Sequence, residues 1–213
     1  MKCDKKNMLL YAVTDRMWTG KKTLYEQIEE ALKGGITCLQ LREKNLDEEQ
    51  FLEEALKIKS LCKKYNVPFI INDNVDVAIK SKADGVHVGQ HDMQAANVRK
   101  LVGDDMIIGV SARTVEQAIL AEKNGADYLG VGAVFNTSTK TDASSLAFET
   151  LSEICKAVSI PVVAIGGISA DNILQLLGLG ADGVAVVSAI FSAENIEQEC
   201  KKLRSLSEKM VNG

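Results

Sequence analysis

Short apolar runs recur along the chain, and between them lie longer stretches whose apolar positions return every three or four residues. The short runs fall at residues 9–13, 37–41, 69–71, 86–88, 107–110, 128–131, 162–165 and 184–187, and their length and β-branched content predict buried strands. The intervals predict amphipathic helices. Asp47 stands before Glu48, Glu49 and an apolar series at Leu52, Ala55, Leu56 and Ile58, which marks a helix with an acidic first turn. Thr114 with Gln117 predicts a capping box. Eight strands thus alternate with eight helices.

An internal echo supports that alternation. Ala83-Asp84-Gly85-Val86 recurs as Ala126-Asp127-Tyr128-Leu129 and as Ala181-Asp182-Gly183-Val184, so copies stand about two strand–helix units apart. A (β/α)8 TIM barrel of the α/β class, one domain over residues 1–213, fits best. Its rival is a doubly wound open sheet, but the G-x-G-x-x-G turn such sheets carry after the first strand is missing.

Composition narrows the classes. A 46% hydrophobic and 25% charged chain suits a soluble core, and a net charge of -4 argues against broad nucleic-acid binding. No run approaches the ~20 apolar residues of a membrane helix, and no segment resembles a signal peptide, so a cytoplasmic location is expected. The five cysteines are scattered, with no C-x-x-C pair, which predicts reduced structural thiols.

In a barrel, strand C-termini gather on one face, where loops far apart in sequence build one pocket. The loops there would bring Gln40, Arg42 and Lys44 after the second strand and Asn72 and Asp73 after the third. Asp92 would follow the fourth, Thr137, Ser138, Thr139 and Lys140 the sixth, Gly166 and Gly167 the seventh, and Ser188 the eighth. Gly166-Gly167, leading through Ser169 into an expected helix, and Ser188 at the next turn form a phosphate cradle of backbone N–H groups. Asp73 and Asp92 offer the hard oxygen donors that Mg²⁺ takes alongside phosphate oxygens and water. Arg42 and Lys44 suit a highly charged anion such as pyrophosphate. Taken singly, each group has a plainer explanation: tight turns, helix caps, or a solvated basic strand end paired with Glu43. His87 and His91 are the only histidines, and a strand-to-loop transition between them disfavours a shared zinc, so His87 is read as structural. No Ser-His-Asp set and no activated cysteine emerges, which points to chemistry needing little side-chain acid–base help.

These runs, together with Gly85 to Asp92, Gly109-Val110-Ser111, Gly130-Val131-Gly132 and Val187-Ser188, resemble the thiamine-phosphate synthase family in order and over nearly the whole chain. The resemblance implies a transferase that joins 4-amino-2-methyl-5-(diphosphooxymethyl)pyrimidine to a thiazole phosphate, releasing pyrophosphate. It implies that Gln40, Leu41, Arg42, Glu43, Lys44, Asn72, Ser111 and Lys140 meet the pyrimidine diphosphate, with Arg42, Lys44, Ser111 and Lys140 serving catalysis. Thr137, Ser138, Thr139, Gly167, Val187 and Ser188 would surround the thiazole phosphate, and Asp73 and Asp92 would hold one Mg²⁺. The expected partners are these small molecules rather than nucleic acid or membrane, with a homo-oligomer left open. At Ala133 and Asn136 the chain lacks prolines the family commonly carries, so this loop is less pre-set in φ. Two alternatives remain at this stage: a related thiazole tautomerase, whose histidine near the sixth strand is replaced by Ala133, and a non-catalytic barrel that binds a phosphorylated metabolite.

Overall fold

The strands β1 (Leu10–Val13), β2 (Cys38–Leu41), β3 (Phe69–Asn72), β4 (Gly85–Val88), β5 (Ile107–Ala112), β6 (Tyr128–Gly132), β7 (Val162–Ile165) and β8 (Gly183–Val186) pair in chain order, and β8 closes on β1. This computed structural model describes residues 3–90, 95–137 and 146–213. All eight pairings are parallel, so each link must cross back along the outside of the barrel. The crossovers hold α1 (Leu24–Lys33), α2 (Glu48–Tyr65), α3 (Val75–Lys80), α4 (Ala95–Val102), α5 (Val115–Lys123) and α6 (Phe148–Ala157). After β8 come α7 (Ser188–Phe191) and the terminal α8 (Ile196–Asn212).

The two-residue period of a strand sorts side chains into two cores. Leu10, Ala12, Leu39, Leu41, Phe69 and Ile71 face outward into a layer shared with the helices. Tyr11, Val13, Cys38, Ile70, Tyr128, Val163 and Ala185 fill the barrel itself, with Cys3 and Met8 packed against them. Gln40 and Arg42 continue the inward set of β2, and Leu41 and Glu43 the outward one.

The repeated Ala-Asp motif has a structural cause. Asp84, Asp127 and Asp182 lie just before β4, β6 and β8, and their Oδ2 atoms accept from the backbone N–H of Phe69, Ile108 and Val162 at 2.8, 2.8 and 2.9 Å. Each ties the start of an odd-numbered strand to its even-numbered neighbour. Each also pairs with a cation, Lys59 for Asp84, Arg99 for Asp127 and Lys5 for Asp182. The echo therefore belongs to the N-terminal face of the barrel, where residues serve stability rather than chemistry.

Several elements differ from the sequence-based expectation. Strand bounds move by one or two residues, and β5 extends to include Ser111. The interval after β7 holds only a four-residue 3-10 turn, Ile173–Leu176, in place of the expected helix. Ser169 does make cap-like bonds, its Oγ accepting from the Asp171 N–H at 3.3 Å and its own N–H donating to Asn172 Oδ1 at 2.8 Å, but Gly178 and Gly180, at φ of 78° and 94°, turn the chain before a helix can lengthen. Thr114 caps α5 by accepting from the Gln117 N–H, but Gln117 Oε1 accepts from the Arg113 N–H, so the reciprocal half of the box is shifted by one residue. A complete capping box does form at Thr23 and Glu26, opening α1. Asp47 caps α2 by accepting from the Gln50 N–H, at the helix start its sequence predicts.

Candidate active site

The C-terminal ends of the strands enclose a cavity of about 200 Å³. Of the residues singled out from sequence, Gln40, Arg42, Asn72, Ser111, Thr137, Gly166, Gly167, Val187 and Ser188 line it. Those positions come from six different strand ends, and barrel closure alone brings them together.

Its floor is a buried polar chain. Gln40 Nε2 donates to the Tyr11 hydroxyl at 3.0 Å, the Tyr11 and Tyr128 hydroxyls are 2.7 Å apart, and Tyr128 lies 3.0 Å from His87 Nδ1. His87 Nε2 is in turn 2.9 Å from Ser111 Oγ. Burial pushes both phenols well above their ordinary pKa, so they remain neutral hydrogen-bonding groups. His87 is thus structural in the sense expected, yet its ring also lines the cavity with both nitrogens engaged.

Loops after β1 and β2 are interlocked. The Arg42 N–H donates to Thr14 Oγ1 at 2.9 Å, and Arg42 NH1 donates to Asp15 Oδ2 at 3.1 Å. Arg16 pairs with Glu43 at 2.8 Å and also with Glu54 of α2. The Glu43 side chain is only 2% exposed, faces away from the cavity, and leaves Oε1 without a hydrogen-bond partner among the described residues. Burial raises its pKa against the opposing pull of Arg16. Leu41 is likewise buried in the outer layer. The expected substrate contacts of Leu41 and Glu43 therefore do not find their side chains in the cavity, because both take the outward parity of β2.

Asp73 and Lys44 meet outside the lining, with Lys44 Nζ 2.7 Å from Asp73 Oδ2. Asp73 adopts φ of 63°, a left-handed turn, and its N–H donates to the His87 carbonyl at 2.8 Å. That bond sets the carboxylate at the end of β3 while Asn74, one residue later, takes over the capping of α3. Asp73 is thus not the helix cap it could have been. Asp92, Ser138, Thr139 and Lys140 lie outside the described residues. Among the described residues no three metal-ligating side chains gather.

The glycine pair at β7 has a tight spatial role. Gly166 and Gly167 have φ of 104° and 64°, and a Cβ would come within 2.4 Å of Ala133 and 2.3 Å of the Asn136 carbonyl oxygen. The loop after β6 lies directly on this turn, fastened by Val134 N–H to the Ile165 carbonyl and Phe135 N–H to the Gly166 carbonyl at 2.9 and 3.0 Å. Ser188 is the first residue of α7, whose four-residue length supplies little helix dipole. Open backbone geometry, more than helix fields, is what this end of the cavity provides.

Sequence reasoning passed over Tyr11, Tyr128 and Arg113, all of which line the cavity. The tyrosines read as strand core, and Arg113 as a loop charge; only the inward parity of Tyr11 with Val13 signalled otherwise.

Fold and site together define a (β/α)8 barrel with a cavity of mixed polar and apolar lining on the face where barrel enzymes carry their active sites. Residues 10–190 match the family model described as thiamine monophosphate synthase. The chain is 55% identical over 194 residues to a thiamine-phosphate synthase of Ruminiclostridium cellulolyticum, covering 91% of this chain and 92% of that protein. It is 52% identical over 198 residues to a thiamine-phosphate synthase of Clostridioides difficile, covering 93% and 94%. Among solved structures, a thiamine phosphate pyrophosphorylase from Pyrococcus furiosus superposes with a TM-score of 0.90 at 39% identity, over 98% of this chain and 99% of that one. The chain belongs to the thiamine monophosphate synthase family, a family of transferases in thiamine biosynthesis. No helix among the described residues is long and apolar enough to cross a membrane.

Proposed function

We propose that the barrel is a thiamine-phosphate synthase that joins a pyrimidine methyl diphosphate to a thiazole phosphate by a dissociative substitution, with pyrophosphate as leaving group. The carrying observation is that one cavity unites Arg42, Gln40, Asn72 and Ser111 on one set of strand ends with Gly167, Val187 and Ser188 on another. The first set would take the diphosphate and pyrimidine, the second the thiazole phosphate. The bond from the methylene carbon to the diphosphate oxygen breaks with its electron pair leaving on pyrophosphate. The lone pair of the thiazole nitrogen then forms the new carbon–nitrogen bond.

Neither step moves a proton, which agrees with a cavity whose one described histidine has both ring nitrogens engaged within the protein. What the protein contributes is alignment of two bound partners and stabilisation of charge on the leaving group. Arg42 would accept that growing charge from the cavity wall, with Lys44 at the rim and Lys140 from the sixth loop. Asn72 and Ser111 would orient the pyrimidine. Thr137, Ser138 and Thr139 would contribute contacts to the thiazole phosphate, at the end where the Gly167 turn lets backbone N–H groups approach a phosphate.

Asp73 fits a magnesium-binding role in donor chemistry: a carboxylate fixed at the strand end, already drawing a cation in Lys44. With Asp92 it would hold a single Mg²⁺, which when bound would neutralise charge on the diphosphate. The enzyme is read as cytoplasmic, acting on small molecules without nucleic acid or membrane.

Two substitutions test the assignment of the two ends. Arg42→Ala should lower turnover at saturation by ~10²- to 10³-fold, as removal of one preorganised charge-stabilising donor does. Ser188→Ala should raise the Michaelis constant for the thiazole phosphate and largely spare saturated turnover. Exchanged effects would mean that the two ends are assigned the wrong way round.

A further inference from the structure

We infer that Asp15, in the loop after β1, is a positioning residue for the reaction: it grips one edge of the Arg42 guanidinium and leaves the other edge for the diphosphate. The inference rests on the proposed role of Arg42. Asp15 is itself doubly fixed. Its Oδ1 accepts from the Met17 N–H at 2.9 Å, capping the 3-10 turn Arg16–Trp18, while Oδ2 accepts from Arg42 NH1 at 3.1 Å. One carboxylate therefore couples the backbone of the first loop to the side chain of the second. Thr14, fully buried beside it, ties the same two loops through the backbone: its N–H donates to the Gln40 carbonyl at 3.0 Å, and its Oγ1 accepts from the Arg42 N–H at 2.9 Å. Arg16 adds a third tie through Glu43.

A free arginine side chain samples many rotamers, and ordering it on a ligand is costly. Here the backbone of Arg42 is held by Thr14 and its NH1 by Asp15, so the side chain is ordered before any ligand arrives. Of the guanidinium nitrogens only NH1 has a partner among the described residues. The Nε and NH2 edge remains, and that edge is the planar fork that matches two oxygens of a phosphate. The pair is 14% exposed at Asp15 and 24% at Arg42, sheltered enough for the contact to persist and open enough for a ligand to reach the free edge.

Asp15→Asn isolates this function from folding. The amide oxygen can still accept from the Met17 N–H, so the turn stays capped, but the atom facing Arg42 becomes an NH2 donor set against another donor. The experiment compares wild type, Asp15→Asn, Arg42→Ala and the double variant for turnover number, for inhibition by inorganic pyrophosphate, and for melting temperature. Asp15→Asn should lower turnover about tenfold and weaken pyrophosphate inhibition about tenfold, with a melting temperature near wild type. In the Arg42→Ala background the same substitution should change neither quantity, since the partner through which it acts is gone. Asp15→Glu, which keeps the acceptor, should recover part of the loss. The inference is overturned if Asp15→Asn leaves both quantities at wild-type values, or if its effect is undiminished in the Arg42→Ala background. If Arg42→Ala itself leaves turnover and pyrophosphate inhibition unchanged, the proposed role of Arg42 has failed instead, and with it the ground on which Asp15 was placed.

Discussion

Removing the Tyr128 hydroxyl should destabilise this barrel by more than the ~1 kcal/mol of a typical point substitution. In Tyr128→Phe the ring volume is kept, so no large cavity opens; what is lost is the 2.7 Å contact to Tyr11 and the 3.0 Å contact to His87 Nδ1. Tyr11 still accepts from Gln40, but His87 Nδ1 is left facing an apolar edge in the barrel interior. A buried polar group left unpaired costs about 1–3 kcal/mol, and the lost bond to Tyr11 adds about 1 kcal/mol. A total near 3 kcal/mol corresponds to a drop of about 6–12 °C in melting temperature for a domain of this size. Tyr11→Phe should cost about as much, since it loses the same hydroxyl–hydroxyl bond and strands one buried group, the Gln40 amide, in place of His87 Nδ1. The double variant should cost less than the sum, because removing both hydroxyls of a pair leaves neither of those two unpaired. Equilibrium urea unfolding of the four proteins measures all three quantities. A Tyr128→Phe protein within about 0.5 kcal/mol of wild type, or strictly additive single costs, would refute the view that this chain of hydroxyls is held as one network.

Other outcomes follow from the same geometry. Asp73→Ala should abolish most turnover and flatten its dependence on Mg²⁺ concentration; full activity with an unchanged magnesium response would reject Asp73 as a ligand. Gly167→Ala should unfold the β7 turn or displace the sixth loop, because the new Cβ would sit 2.3 Å from the Asn136 carbonyl oxygen at a φ of 64°; a fully stable and active variant would contradict that packing. Burial pushes the thiols of Cys3, Cys62, Cys155 and Cys200 up to about 12, so at pH 8 the native protein should react with thiol reagents far more slowly than in denaturant. Rapid labelling of the native protein at that pH would show these sites to be open.

Much of the architecture was legible because its signals are local. Every strand announces itself by a short apolar run, and the Ala-Asp echo betrays an alternate-strand repeat whose purpose became clear only when Asp84, Asp127 and Asp182 were seen tying neighbouring strands. The strand-end residues were legible too, since barrel topology forces them onto one face. What escaped depended on direction and on distant partners. Leu41 and Glu43 flank the cavity residue Arg42 in sequence, yet strand parity turns their side chains outward. Tyr11 and Tyr128 look like ordinary strand aromatics, and nothing local in the chain reveals that their hydroxyls meet across 117 residues of sequence. Asp15 and Arg16 resemble solvated loop charges until barrel closure sets them against Arg42 and Glu43. The missing helix after β7 is a contest between Ser169 as a cap and the two glycines that follow, which the glycines win.

The most direct test of the proposed function is to incubate the purified protein with the pyrimidine diphosphate and the thiazole phosphate, with and without Mg²⁺, and to identify the products by mass. Thiamine phosphate and pyrophosphate should appear together in equal amounts, only when both substrates are present, and far faster with Mg²⁺. Failure to form thiamine phosphate with both substrates and Mg²⁺ supplied to folded protein, or release of pyrophosphate without the coupled product, would contradict the assignment.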